Sequence, residues 1–120
     1  MTGDQALTEL LDVSEDVVAA VILDSEGRPV AATVGEEEAR SAAEIAVAML
    51  AYADALRTEA TAGRLEAVTA DGHVFVLREG AGTIVAATGR DPVAGLVLHD
   101  LRATLRKLRR RSRQRANAAS

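Results

Sequence analysis

The stretch EEEARSAAEIAVAMLAYADALRTEATA, residues 36–62, decides how the rest of the chain is read. Glu36, Glu37 and Glu38 open it and Gly63 follows it. Acids in a first turn complement the helix dipole, and a glycine just past the end suits a left-handed cap. There is no proline and almost no β-branching between these signals, so residues 36–62 are expected to form one long helix. At about 100° per residue, Ala39, Ala43, Ala46, Leu50 and Ala53 make one apolar stripe. Ile45, Ala48, Tyr52 and Ala55 make a second stripe beside it, with Met49 and Leu56 between the two. Arg40, Glu44, Asp54 and Thr58 keep only a narrow polar arc. One stripe can cover the protein's own sheet. The other requires a second surface, and in so short a chain another protein molecule is the expected source.

A length of 120 residues suits one domain with a core of its own. Hydrophobic residues make up 48% and aromatic residues 2%, so that core must be aliphatic. The scarcity of rings argues against single-stranded nucleic-acid binding by base stacking. The absence of cysteine excludes disulfides, thiol catalysis and cysteine-ligated metals, and it fits a reducing compartment. No apolar run is long enough to span a membrane, and the N-terminal MTGDQALTEL is acidic rather than basic. A soluble, cytoplasmic protein is the expectation.

Outward from the long helix, residues 4–13 suit a short helix with Leu7, Leu10 and Leu11 on one side. The apolar, β-branched run 17–23 predicts a strand buried on both faces. A turn at Asp24-Ser25-Glu26-Gly27 joins it to a strand over 29–34, and Pro29 points to an edge position. Strands over 65–70, 73–78 and 83–88 follow, joined by turns at Asp71-Gly72 and Glu79-Gly80-Ala81-Gly82. Asp91-Pro92 predicts the start of a last helix, with Asp91 as N-cap and Pro92 at the first helical position. Its apolar arc holds Val93, Val97, Leu98, Leu101, Leu105 and Leu108, and its polar side holds His99, Arg102, Arg106 and Arg110. The order α-β-β-α-β-β-β-α implies a five-stranded antiparallel sheet between helical layers, a single-domain α/β/α sandwich of the α+β kind over residues 1–108. Residues 109–120 form a basic tail, expected to be disordered past Arg111.

The residue types that carry chemistry are poorly arranged for it. His73 and His99 lie on different elements with no cysteine nearby, so no metal site is expected. Ser14, Ser25, Ser41, Ser112 and Ser120 lack a nucleophile-elbow context. Gly80-Ala81-Gly82-Thr83 lacks the lysine of a phosphate loop and leads into a strand rather than a helix. Gly89-Arg90-Asp91 does not make a dinucleotide fingerprint. Glu36–Glu38 read first as capping acids. The sequence thus assigns no catalytic residue and no cofactor, and it points away from an enzyme.

Charge is unevenly placed. Eight of the fourteen basic residues, and none of the eighteen acids, come after Asp100. Arg106, Lys107, Arg109, Arg110, Arg111 and Arg113 are candidates for meeting an anionic partner, whether nucleic acid, lipid or an acidic protein. The plainer reading is that they complement the helix dipole and solvate the chain end.

Taken together, the strand and turn Val18-Ala19-Ala20-Val21-Ile22-Leu23-Asp24-Ser25-Glu26-Gly27 and the following Arg28-Pro29-Val30-Ala31-Ala32 resemble the Roadblock/dynein light chain family. The helix around Ala42-Ala43-Glu44-Ile45-Ala46 is similar to the family's central helix. Val74-Phe75-Val76-Leu77, Thr83-Ile84-Val85-Ala86-Ala87 and the last helix with Leu101 and Leu105 complete the order. The resemblance is to the bacterial small-GTPase-regulator branch and covers residues 4–108. It implies a Roadblock/longin-like fold and a homodimer in which central helices lie side by side and third strands pair. The implied interface is Ile45, Ala48, Met49, Tyr52, Ala55, Leu56, Ala67, Val68 and Thr69. It also implies a small Ras-like GTPase as partner, sometimes with accelerated hydrolysis and often beside a sensor kinase. The alternatives are a structural adaptor without effect on GTP hydrolysis, or a nucleic-acid or membrane-binding module that uses the basic C-terminus. Arg28, Arg64, Arg78 and Arg90 lie near turns, but no motif selects one of them as an arginine donated to a GTPase.

Overall fold

A computed structural model describes residues 2–56 and 63–119, with side chains through Leu108. Helix α1 spans Gly3–Val13 and is followed by strands β1, Val17–Leu23, and β2, Pro29–Ala32. Helix α2 spans Glu36–Leu56 among the described residues; the remaining positions of the expected long helix, 57–62, lie outside them. Strands β3, Arg64–Val68, β4, His73–Glu79, and β5, Gly82–Thr88, lead to helix α3, Ala94–Ala119.

Local chemistry accounts for most of these boundaries. Thr2 caps α1: its hydroxyl accepts from the Gln5 N–H while the Gln5 side chain accepts from the Thr2 N–H, a reciprocal capping box. At the β1–β2 turn, one oxygen of Asp24 accepts the N–H groups of both Glu26 and Arg28, and Gly27 takes φ +81. The β4–β5 hairpin has a two-residue loop in which Gly80 alone has positive φ, the II′ pattern that matches sheet twist. Gly72 is needed for space: a Cβ there would lie 2.0 Å from the Thr88 carbonyl oxygen.

All strand pairings are antiparallel and the order is β2-β1-β5-β4-β3. The five-stranded antiparallel expectation holds, and Pro29 lies on an edge strand as its missing N–H requires. The long-range pairing of β1 with β5 puts Val17–Leu23 in the sheet's interior. Helices α1 and α3 cover one face, where Leu7, Leu10, Ile22, Phe75, Ile84 and Leu101 form the larger cluster. Helix α2 covers the other, with Ala39, Ala43, Ala46 and Leu50 against Val21, Leu23, Val76 and Val85. The first stripe read from the sequence is the buried one.

Four boundaries differ from expectation. Strand β2 ends at Ala32 rather than at 34, as Thr33 bonds the Ala20 backbone with its N–H and hydroxyl. Helix α3 begins at Ala94 rather than at Pro92, and Asp91 takes φ +56 instead of capping it. The Val93 carbonyl accepts from Val97, and the Val93 N–H is taken by a carboxylate oxygen of Asp16 at 3.0 Å. The helix start is thus fixed by a residue 77 positions away. Its other end runs to Ala119, beyond the point where regular structure was expected to stop; arginine, glutamine and alanine favour helix, and no glycine or proline intervenes. Finally, β3 ends at Val68, because Thr69 belongs to the turn. The Thr69 N–H donates to the Gly72 carbonyl, and its hydroxyl both donates to that carbonyl and accepts from the Gly72 N–H.

Candidate interaction surface

The second stripe of α2 faces outward. Ile45 is 59% exposed, Tyr52 70% and Leu56 69%, while Ala48 and Ala55 are also exposed. Met49 is half-buried and packs against the α2-side core. A large apolar residue stabilises by about 1.5–3 kcal/mol when fully buried, so leaving three of them in water along one helix forgoes several kcal/mol.

The position of α2 explains why the stripe is uncovered. The helix packs chiefly over β2, β1 and β5 and buries Val76 of β4, while Val74 of β4 and Leu65 and Ala67 of β3 on the same sheet face are only half-buried. An apolar groove of about 210 Å³ lies beside the first half of α2, between Ala42 and Ile45 of the helix, Ala20 and Val21 of β1, Ala87 of β5 and Val74 of β4. Leu65 and Ala67 of β3 alternate with exposed neighbours and are half-buried, Leu65 against the α2-side cluster. The groove thus joins the helix flank at Ile45 to Val74, whose cross-strand neighbour on the edge strand is Ala67.

The edge itself has free backbone groups. Gly63 accepts from the Arg78 N–H and Thr69 donates to Gly72, which fixes the alternation. The main chains of 63, 65, 67 and 69 therefore face β4, while those of Arg64, Glu66 and Val68 face outward. Among the described residues no strand pairs with this outer side. Val68, 74% exposed, sits on it. Ala67 contributes its side chain to the surface and its backbone to β4. Thr69 is a correction: its N–H is spent inside the turn, so it cannot extend the edge. Arg64 and Glu66 are the edge positions that sequence reading missed, because only the pairing register shows which way their backbone points.

A second groove of about 600 Å³ runs along the opposite flank of α2, lined by Arg28, Pro29, Arg40, Val47, Ala48 and Ala51, among others. In a neighbouring pocket that shares Val47 and Ala51 with it, one guanidinium nitrogen of Arg78 bonds both carboxylate oxygens of Asp54, at 2.9 and 3.1 Å. The arginines near turns are mostly occupied. Arg28 pairs with Asp24 and Glu26, and Arg90 donates to the Ala70 carbonyl at 3.2 Å. Asp24 is held below the usual carboxylate range by the Arg28 N–H first, then by the Glu26 N–H and the Arg28 guanidinium, against a smaller opposing effect of burial.

On the other side of the molecule, Arg102 and Arg106 of α3 each give Nε to one oxygen of Glu79, at 3.1 and 3.2 Å. Lys107 bonds Glu9 of α1 at 2.5 Å. Two of the six cations expected to meet an anion are therefore also used to tie α3 to the body. His73 bonds Glu66 across β4 and β3 at 2.5 Å, and His99 is exposed beside Asp100. Among the described residues no three histidine or acidic side chains are grouped to hold a metal. Nor is any described helix long and apolar enough to cross a membrane.

Solved structures share this arrangement. A Roadblock/LC7 domain from Streptomyces avermitilis superposes with a TM-score of 0.82 at 13% identity, over 91% of this chain and 96% of that one. MglB of Myxococcus xanthus gives a TM-score of 0.69 at 14% identity, over 92% and 84%. The gliding protein MglB of Thermus thermophilus gives 0.63 at 18% identity, over 85% and 82%. At such identities the likeness is one of fold. No curated protein matches the sequence at a significant level. The Roadblock/LC7 domain model, however, matches residues 3–88, which run from the first helix through β5. The chain belongs to the Roadblock/LC7 family.

Proposed function

We propose that this protein is a cytoplasmic homodimeric module that regulates or scaffolds a small Ras-like GTPase by protein–protein contact. The observation that carries the reading is the exposed apolar stripe of α2, with the groove at Ile45 and the open edge of β3 beside it. A second copy supplies the right shapes for all three. A two-fold axis at the β3 edge joins the sheets through the outward main chains of Arg64, Glu66 and Val68. The same axis brings the partner's α2 over the half-buried part of that sheet face, against Ile45, Ala48, Met49, Tyr52, Ala55 and Leu56. Small residues at 48 and 55 let the two helices approach closely.

A GTPase partner follows from family membership and from the resemblance to the bacterial regulator branch. Dimerisation leaves the hairpin flank of α2 available for it. In this reading any acceleration of hydrolysis comes from ordering the GTPase's own groups, since most of the turn arginines are held by internal partners. A sensor kinase belongs to the same picture as a neighbouring component of the complex. The test is single-turnover GTP hydrolysis by a copurifying GTPase, with and without this protein. A changed rate supports regulation, whereas stable binding with an unchanged rate makes the protein an adaptor.

A further inference from the structure

Between β3, the end of β4 and α3 lies an open groove lined by Gly63, Arg64, Leu77, Arg78, Glu79, Arg102 and Arg106. The Arg78 guanidinium is turned to Asp54 of α2, so the groove sets Arg64, Arg102 and Arg106 beside one carboxylate, Glu79. Arg102 and Arg106 spend only Nε on Glu79, which leaves their terminal nitrogens for another acceptor. Both are substantially exposed, Arg106 the more so. Arg64 is exposed beside them and has no ion-pair partner among the described residues.

The ridge continues along α3. The helix runs on past Leu108, and its sequence there adds Arg109, Arg110, Arg111, Arg113 and Arg115. No acid occurs on this helix after Asp100. We infer that this arginine ridge is a sequence-independent docking surface for the phosphate backbone of double-stranded nucleic acid.

The chemistry of the ridge narrows the partner. Seven of the eight cations after Asp100 are arginine, whose planar fork matches phosphate oxygens. A bilayer surface would favour an apolar face beside the charges, and the chain has no large apolar residue after Leu108. Single strands need stacking rings, but Phe75 is fully buried and Tyr52 lies on α2, across the sheet. A specific protein interface needs an apolar centre, which this ridge lacks. Duplex nucleic acid carries one charge per about 1.7 Å and can be held by phosphate contacts alone. Arg102 and Arg106 lie on α3, across the sheet from α2, so the inference does not rest on the dimer; only Arg64 is shared with the β3 edge.

Fluorescence anisotropy of the full chain with a labelled 20-base-pair duplex tests it. The expected result is equal binding of two unrelated sequences, weakening linearly on a log–log salt plot between about 50 and 200 mM. Arg109→Gln with Arg113→Gln should lower that salt slope by about 2. Glu79→Gln, which unmasks two guanidinium groups, should tighten binding by roughly twofold or more. Thermal melts confirm that each variant is folded. The inference is overturned by no binding at 50 mM salt, or by a slope that the double variant leaves unchanged. It is equally overturned if a polyglutamate of matched charge, or anionic vesicles, bind more tightly than the duplex.

Discussion

The two stripes of α2 are both apolar and have opposite fates. Ala39, Ala43, Ala46 and Leu50 are buried against the sheet, while Ile45, Ala48, Tyr52 and Leu56 face water. Nothing in their chemistry separates them: the exposed stripe is, if anything, the bulkier. What differs is the surface available to each: the inner stripe meets Val21, Leu23, Val76 and Val85, and no described residue covers the outer one. A helix can therefore be apolar nearly all round without being a core helix, provided a second molecule completes the enclosure.

Substitutions should separate the two stripes, and the largest effect belongs to the inner one. Leu50→Ala leaves a cavity beneath the helix and should cost about 2–5 kcal/mol of stability. Its denaturation midpoint should fall by a similar free energy at every protein concentration. Ile45→Glu on the outer stripe should leave the helical circular dichroism of the protein unchanged. It should weaken self-association by at least about tenfold, because a carboxylate would be enclosed without a partner.

The open edge offers a finer comparison between adjacent residues of β3. Glu66→Pro removes an N–H that faces outward, a position where proline is tolerated. Ala67→Pro removes one that faces β4. The second should destabilise the fold by about 1–3 kcal/mol more than the first, while Glu66→Pro should act mainly on association. Equal losses of stability would mean that the alternation along β3 has been misassigned.

The smallest effect is electrostatic and lies at the β1–β2 turn. Asp24 has a folded pKa below its ordinary value of 3.8, so its contribution is complete above that value. The contribution is lost as pH falls through the lower folded value. Asp24→Asn should therefore lower the melting temperature slightly at pH 7 and bring wild type and variant together near pH 2. A gap that persists there would point to the geometry of the turn rather than to charge.

Most of the fold was legible because it rests on local signals. The period of α2, the Asp24–Gly27 turn and the glycines at 80 and 82 mark their elements within a few residues. What was not legible depends on distant residues. Asp16, just ahead of β1, fixes the start of α3 and so displaces the Asp91-Pro92 start signal. Thr69 reads as strand until its turn with Gly72 is seen, and the outward backbone of Arg64 and Glu66 depends on the β3–β4 register. The interaction surface was half legible in the same sense. Helical spacing gave the residues of the outer stripe, but only the placement of α2 over β2, β1 and β5 showed the groove that continues it.

Sedimentation velocity on the wild type and on Ile45→Glu, both at micromolar concentration, tests the surface most directly. The wild type should sediment as a dimer and the variant should shift to monomer with its fold intact. A monomeric wild type, or a variant that remains as dimeric as its parent, would contradict the assignment of the outer α2 stripe as the seam between two copies.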